Sequence, residues 1–158
     1  MKKLSFDIVD IDWEGPFPIT YDRAGDCYLL DQIPSELLLS SGIYQIYGRH
    51  PVYGKDSLLY IGETKVGESG RPFKSRLVEH LREGSRFFGH TNLSVHLGVL
   101  DLPNDIVQKV ESILIFNHAP ALNRRHIDGP IAGAETLLVR NWSFVGALES
   151  ACLGLWEE

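Results

Sequence analysis

Two tyrosines, an arginine, a histidine, a glutamate and an asparagine follow one another here in an order that points to phosphodiester cleavage. Tyr44 closes the string Gly42-Ile43-Tyr44, Tyr60 opens the string Tyr60-Ile61-Gly62, and Arg76, His80, Glu111 and Asn123 come after them. Tripeptides arise by chance, so the weight rests on order, residue types and the elements that carry them. Arg76 and His80 are four apart and stack on one side of a helix. Glu111, at the border of an apolar stripe, has three readings: a cation ligand, an ion-paired structural carboxylate, or a surface residue. A single histidine near a core is likewise either a hydrogen-bonded packing residue or a proton carrier.

The elements that must position these groups are legible. Ile43 to Tyr47 and Leu58 to Ile61 are rich in β-branched and aromatic residues, and the stretch Gly48 to Asp56 between them holds Pro51 and Gly54. This predicts two antiparallel strands joined by a long loop. Leu93, Val95, Leu97 and Val99 alternate with Ser94, His96 and Gly98, which predicts a third strand with one buried face. A fourth is expected from Thr136 to Arg140. Phe73, Leu77 and Leu81 mark an amphipathic helix from Phe73 to Glu83 with Pro72 at its first position, and Arg76 and His80 border its stripe. Ile106, Val110, Ile113 and Leu114 mark a second helix, capped by Asn104 or Asp105, closed by Pro120 and carrying Glu111. A last helix is expected from Ser143 to Trp156, with Phe144, Leu148, Cys152 and Leu155 on one face. The fold class is then α+β: a small, mainly antiparallel sheet flanked by helices.

A chain of 158 residues suits one domain with its own core. Residues 1–40 form an irregular or strand-containing extension packed on it, residues 41–126 hold the motifs, and residues 127–158 add a strand and a helix. Cys27 and Cys152 are too few for a disulfide framework or a Cys-based zinc site, and both read as buried thiols in a reducing compartment. An acid within the first seven residues and the absence of a membrane-length apolar run lead us to expect a cytoplasmic protein without a membrane partner.

The net charge of −6 speaks against a nucleic-acid partner only when taken whole. Residues 1–41 carry three basic and eight acidic side chains, residues 127–158 one and five, but residues 42–126 carry eleven and eight. Within that mildly basic middle, Arg71, Lys74, Arg76, Arg82 and Arg86 crowd together. They read as a solvated helix face or as a phosphate-binding surface. Phe87 and Phe88 read as core or loop packing.

With Tyr60-Ile61-Gly62 beside Gly42-Ile43-Tyr44, Arg76-Leu77-Val78-Glu79-His80, Glu111 and Asn123 in Pro120-Ala121-Leu122-Asn123, residues 41–126 resemble the GIY-YIG nuclease family. The resemblance implies a metal-dependent endonuclease acting on DNA. It makes Tyr44, Tyr60, Arg76, His80, Glu111 and Asn123 the catalytic set and Glu111 the ligand of one Mg²⁺ or Mn²⁺. It also implies a compact, stand-alone, restriction-like member, with a homodimer or two sequential nicks needed to cut both strands. The chain departs from the family pattern in its longer interval between the tripeptides, an extended Val66 to Arg71 stretch, and Glu63, where many members carry a small or basic residue.

Chemistry suits these implied roles. Arg76 would clamp the scissile phosphate, Tyr44 would act as base or orient the water with His80 relaying its proton, and Tyr60 would position water or phosphate. A free phenol has a pKa of about 10, so Tyr44 needs a nearby cation, Arg76 or protonated His80, to depress it. Asn123 would hold the architecture by hydrogen bonds. With only one carboxylate in the motif, a two-metal site is not expected. Lys65, Arg71, Lys74, Arg82, Arg86, Arg124 and Arg125 would neutralise backbone phosphates without reading sequence. The alternative is a catalytically inactive nucleic-acid-binding or protein-interaction module on the same fold.

Overall fold

The computed structural model describes residues 5–65, 70–82, 87 and 90–154. Its centre is a six-stranded sheet built from β1 (Asp7–Pro18), β4 (Gly42–His50), β5 (Gly54–Glu63), β6 (Ser94–Val99), β7 (Leu137–Ser143) and β8 (Ala151–Leu153), in the spatial order β5-β4-β6-β1-β7-β8. Only β1 and β7 run parallel. A small hairpin, β2 (Thr20–Asp22) with β3 (Cys27–Leu29), stands apart from it. The helices are α1 (Ser35–Leu38), α2 (Phe73–Leu81) and α3 (Asn104–His118). The α+β class with a mainly antiparallel sheet is thus observed.

Both sheet faces are covered where the motifs lie. On one, Val9, Ile11, Trp13, Ile43, Ile61 and Val139 pack against Val107, Val110, Ile113 and Leu114 of α3. On the other, Tyr44, Ile46, Val95 and Leu97 pack against Phe73, Leu77 and Leu81 of α2 and Leu37 of α1. The Phe73/Leu77/Leu81 stripe is buried as its spacing predicts. Pro72 and Pro103 are the N-caps of α2 and α3, so Pro72 sits one residue outside its predicted place and Asn104 is already helical. Ala119 in the left-handed region ends α3, and Pro120 follows.

Several expectations are corrected. The predicted loop Gly48 to Asp56 is mostly strand: β4 runs to His50, β5 starts at Gly54, and only Pro51, Val52 and Tyr53 turn. His50 makes this possible, its Nδ1 accepting the N–H groups of Val52 and Tyr53 at 3.2 and 3.3 Å. The third strand is not one-sided. His96 and Gly98 are buried while Val99 is exposed, because β6 is central, paired to β4 and β1, with packing on both faces. The N-terminal stretch is more than an extension, since β1 lies inside the sheet between β6 and β7. No helix forms from Ser143: the chain turns through Ser143 and Gly146, both at positive φ, and returns as β8. Asn141 holds that turn, its N–H donating to the Ser150 carbonyl and its Nδ2 to that of Glu149. Phe144 is consequently exposed, and Leu155 and Trp156 lie outside the described residues. Cys152 is buried as expected but Cys27, on the small hairpin, is exposed. Among the described residues no helix is long and apolar enough to cross a membrane.

Candidate active site

The two tripeptides lie side by side. In the β4–β5 register Tyr44 faces Gly62 and Ile46 faces Tyr60. Strand β4 begins at Gly42 because only glycine suits its φ of 154° and its approach to β6; a Cβ there would sit 2.0 Å from the Gly98 carbonyl oxygen. Thr64, just past β5, clips that start in place by accepting the Gly42 N–H at 2.6 Å. Gly62 is required for a different reason, since the Tyr44 ring fills the space a side chain would need. A Cβ on Gly62 would meet Tyr44 Oη at 2.3 Å and Cζ at 2.4 Å. Gly62→Ala is therefore expected to expel the phenol and cost about 1–3 kcal/mol, as overpacking does. Urea denaturation checks this; an unchanged midpoint would mean that Tyr44 does not need this slot.

Tyr44 is fully buried, and its hydroxyl lies 2.6 Å from His80 Nε2. Aromatic rings fix the pair: Phe73 meets Tyr44 edge-on at 6.3 Å, and Phe87 meets His80 and Tyr60 edge-on at 5.2 and 5.6 Å. Tyr60 stands 6.2 Å from the Tyr44 ring and 5.0 Å from His80. Phe87 is thus packing, as expected, while Phe88 lies outside the described residues.

Arg76, one turn before His80, is the electrostatic hub. It is half-buried, pairs with Glu79 at 2.7 Å, and lies near enough to the Tyr44 oxygen to act on it. Burial opposes its charge, but Tyr44 and Glu79 outweigh burial and raise its pKa. The expected depression of the Tyr44 phenol does not occur. Burial, with Tyr60 beside it, pushes Tyr44 well above the usual phenol value, and Arg76 only partly offsets this.

Glu111 reaches the same region from α3. Its carboxyl lies near enough to the backbone N–H of Glu63, the last residue of β5, to feel it. Burial first, and the Glu63 carboxylate second, push its pKa up to about 7, against the pull of Arg76 and Arg125. Burial also raises Glu63, with Lys65 and Arg76 opposing. The site therefore holds two neighbouring carboxylates, not the one read from the motif. Glu63 entered the sequence reading only as a departure from a pattern. Its signal was position: two residues beyond Ile61, it falls on the same sheet face, the one α3 covers.

A cavity of about 420 Å³ opens here, lined by Glu63, Thr64, Lys65, Arg71 and Arg76. Arg71 is paired with Glu79. Arg125 is near enough to act on Glu111, whereas Lys74, Arg82 and Arg124 are exposed and do not line the cavity. Arg86 and most of the Val66 to Arg71 stretch lie outside the described residues. Asn123 points to the backbone of β5: its Oδ1 accepts the Ile61 N–H and its Nδ2 donates to the Ile61 carbonyl, each at 2.9 Å.

Whether a divalent cation suits these residues can be tested on their chemistry. No group of three or more His, Cys, Asp or Glu is gathered for a metal among the described residues, as a closed protein cage would require. Magnesium, however, binds through one or two carboxylates and takes its other ligands from water and phosphate. Glu63 on a roomy cavity, with a buried oxygen that lacks a partner among the described residues, and Glu111 near enough to feel its charge fit that pattern. The chain matches no protein-family model, and no characterised protein and no solved structure matches it significantly.

Proposed function

We propose that this chain is a metal-dependent endonuclease of the GIY-YIG kind, hydrolysing DNA phosphodiester bonds at the cavity between the end of β5 and α2. One observation carries the reading: the Tyr44–His80 hydrogen bond lies beside Arg76, which acts on both Tyr44 and the half-buried Glu111. Phosphodiester hydrolysis needs an attacking water relieved of its proton, compensation of phosphoryl charge, and help for the leaving oxygen. Those needs match the groups present.

Because burial keeps Tyr44 neutral, the phenol works as a relay. As water attacks phosphorus and the P–O bond to the leaving sugar oxygen breaks, the water's proton passes to Tyr44 Oη and the Tyr44 proton to His80 Nε2, while the leaving alkoxide takes a proton from solvent in the cavity. Arg76 holds the phosphate through its planar donors, and Tyr60, its ring 5.0 Å from that of His80, would position the water or the phosphate. Glu111, with Mg²⁺ or Mn²⁺ bound, would add positive charge on the phosphoryl oxygens. Lys65 on the cavity and Arg125 near Glu111 would hold flanking phosphates.

Tyr44→Phe removes the relay oxygen and keeps the ring. Single-turnover cleavage of labelled duplex, single-stranded and branched DNA should fall by roughly 10²–10⁴ on whichever substrate the wild type cuts. A near-wild-type rate would refute the relay, and no cleavage by the wild type would favour the inactive binding module.

A further inference from the structure

We propose that Glu63 supplies a second carboxylate to the cation held at Glu111, so that one divalent ion is clasped between the end of β5 and α3. This rests on the nuclease reading above and deepens it. Three observations converge. Glu63 pairs with Ile43 in the β4–β5 register and shares its sheet face, the face covered by the helix that bears Glu111. The backbone N–H and the carboxylate of Glu63 both lie near enough to act on the Glu111 carboxyl, which brings the two side chains into one neighbourhood. Glu63 Oε2 is sealed from solvent and has no hydrogen-bond partner among the described residues.

Left to themselves, these features are unfavourable. A buried carboxylate oxygen without a partner costs free energy, and a like charge beside it raises that cost. The nearest fixed cation does not cancel it. Arg76 is paired to Glu79 at 2.7 Å, and Lys65 is exposed on the cavity rim. A divalent ion resolves both problems at once, since it takes hard oxygen ligands and neutralises two carboxylates. The cavity of about 420 Å³ leaves room for its waters and for a phosphate oxygen. The rival account is that the two carboxyls share a proton and bind nothing.

The test is Mn²⁺ uptake without DNA, followed by the loss of the free-ion electron paramagnetic resonance signal. Wild type, Glu63→Gln, Glu111→Gln and the double variant are compared, with melting in EDTA showing that each is folded. Gln keeps the shape of Glu63 and its backbone N–H, so the surroundings of Glu111 change only by the lost charge. The expected result is one ion per wild-type chain, with affinity reduced by about tenfold or more in each single variant. The double variant should lose less than the product of the singles, because both remove ligands of one ion. If Glu63→Gln binds as tightly as wild type while Glu111→Gln does not, Glu63 is no ligand and the nuclease reading survives. If the wild type takes up no Mn²⁺ at millimolar concentration, the proposal and the metal-dependent reading both fail.

Discussion

Glu111→Gln should make the ion-free protein more stable at pH 8 while abolishing metal-dependent cleavage. Glu111 has a folded-state pKa of about 7 against an ordinary value of 4.5. Between those values the folded chain holds a proton that the unfolded chain releases, so stability falls as pH rises from about 4.5 to about 7 and stays low above that. Two and a half units at 1.36 kcal/mol each make the penalty at pH 8 about 3 kcal/mol, which a neutral amide removes. Melting in EDTA should therefore show the variant ahead of wild type by about 2–3 kcal/mol at pH 8, with the gap closing toward pH 4.5. A carboxylate retained for structure would give the opposite sign, a variant less stable than wild type at pH 8. Gain of stability with loss of activity is the mark of a group kept for its chemistry.

The largest loss of stability belongs to Asn123. Its side chain is the partner of both polar backbone groups of Ile61, at the edge of the sheet and within the core. Asn123→Ala orphans a buried N–H and a buried carbonyl together, at about 1–3 kcal/mol each, for a total of roughly 2–6 kcal/mol. Asn123→Asp keeps an acceptor for the N–H and loses the donor. Urea midpoints should fall in the order wild type, Asp variant, Ala variant. Whatever Ala variant remains folded at low temperature should keep a cleavage rate within about tenfold of wild type, because Asn123 touches backbone and not the cavity. A stable Ala variant with turnover lowered a thousandfold would place Asn123 in the chemistry instead.

The site elements were legible because their signals are local. Two β-branched strands, a four-residue stripe with Arg76 and His80 beside it, and a helix bordered by Glu111 all follow from spacing. The C-terminal stretch misled for the same reason. Leu148 and Cys152 are buried, but one comes from a turn and the other from a strand, and the four-residue interval between them is coincidental. Only Asn141, bonding across that turn, shows why no helix forms. Strand β1 was legible in principle, since Val9, Ile11 and Trp13 alternate with Asp10, Asp12 and Glu14 at period two. Its place between β6 and β7 is set by pairing with residues more than seventy positions away, which no local pattern encodes. The state of Tyr44 was out of reach for a related reason: nearby cations are visible in a sequence, whereas the burial that outweighs them is a property of the packed core.

The most direct test of cleavage at this site is incubation of the purified protein with supercoiled plasmid DNA in Mg²⁺, alongside Glu111→Ala and an EDTA control, over a range of ionic strength. The expected result is relaxation or linearisation by the wild type that EDTA and Glu111→Ala both abolish, weakening as salt rises. Cleavage that survives in Glu111→Ala, or no cleavage by the wild type on plasmid, branched and single-stranded DNA alike, would contradict it.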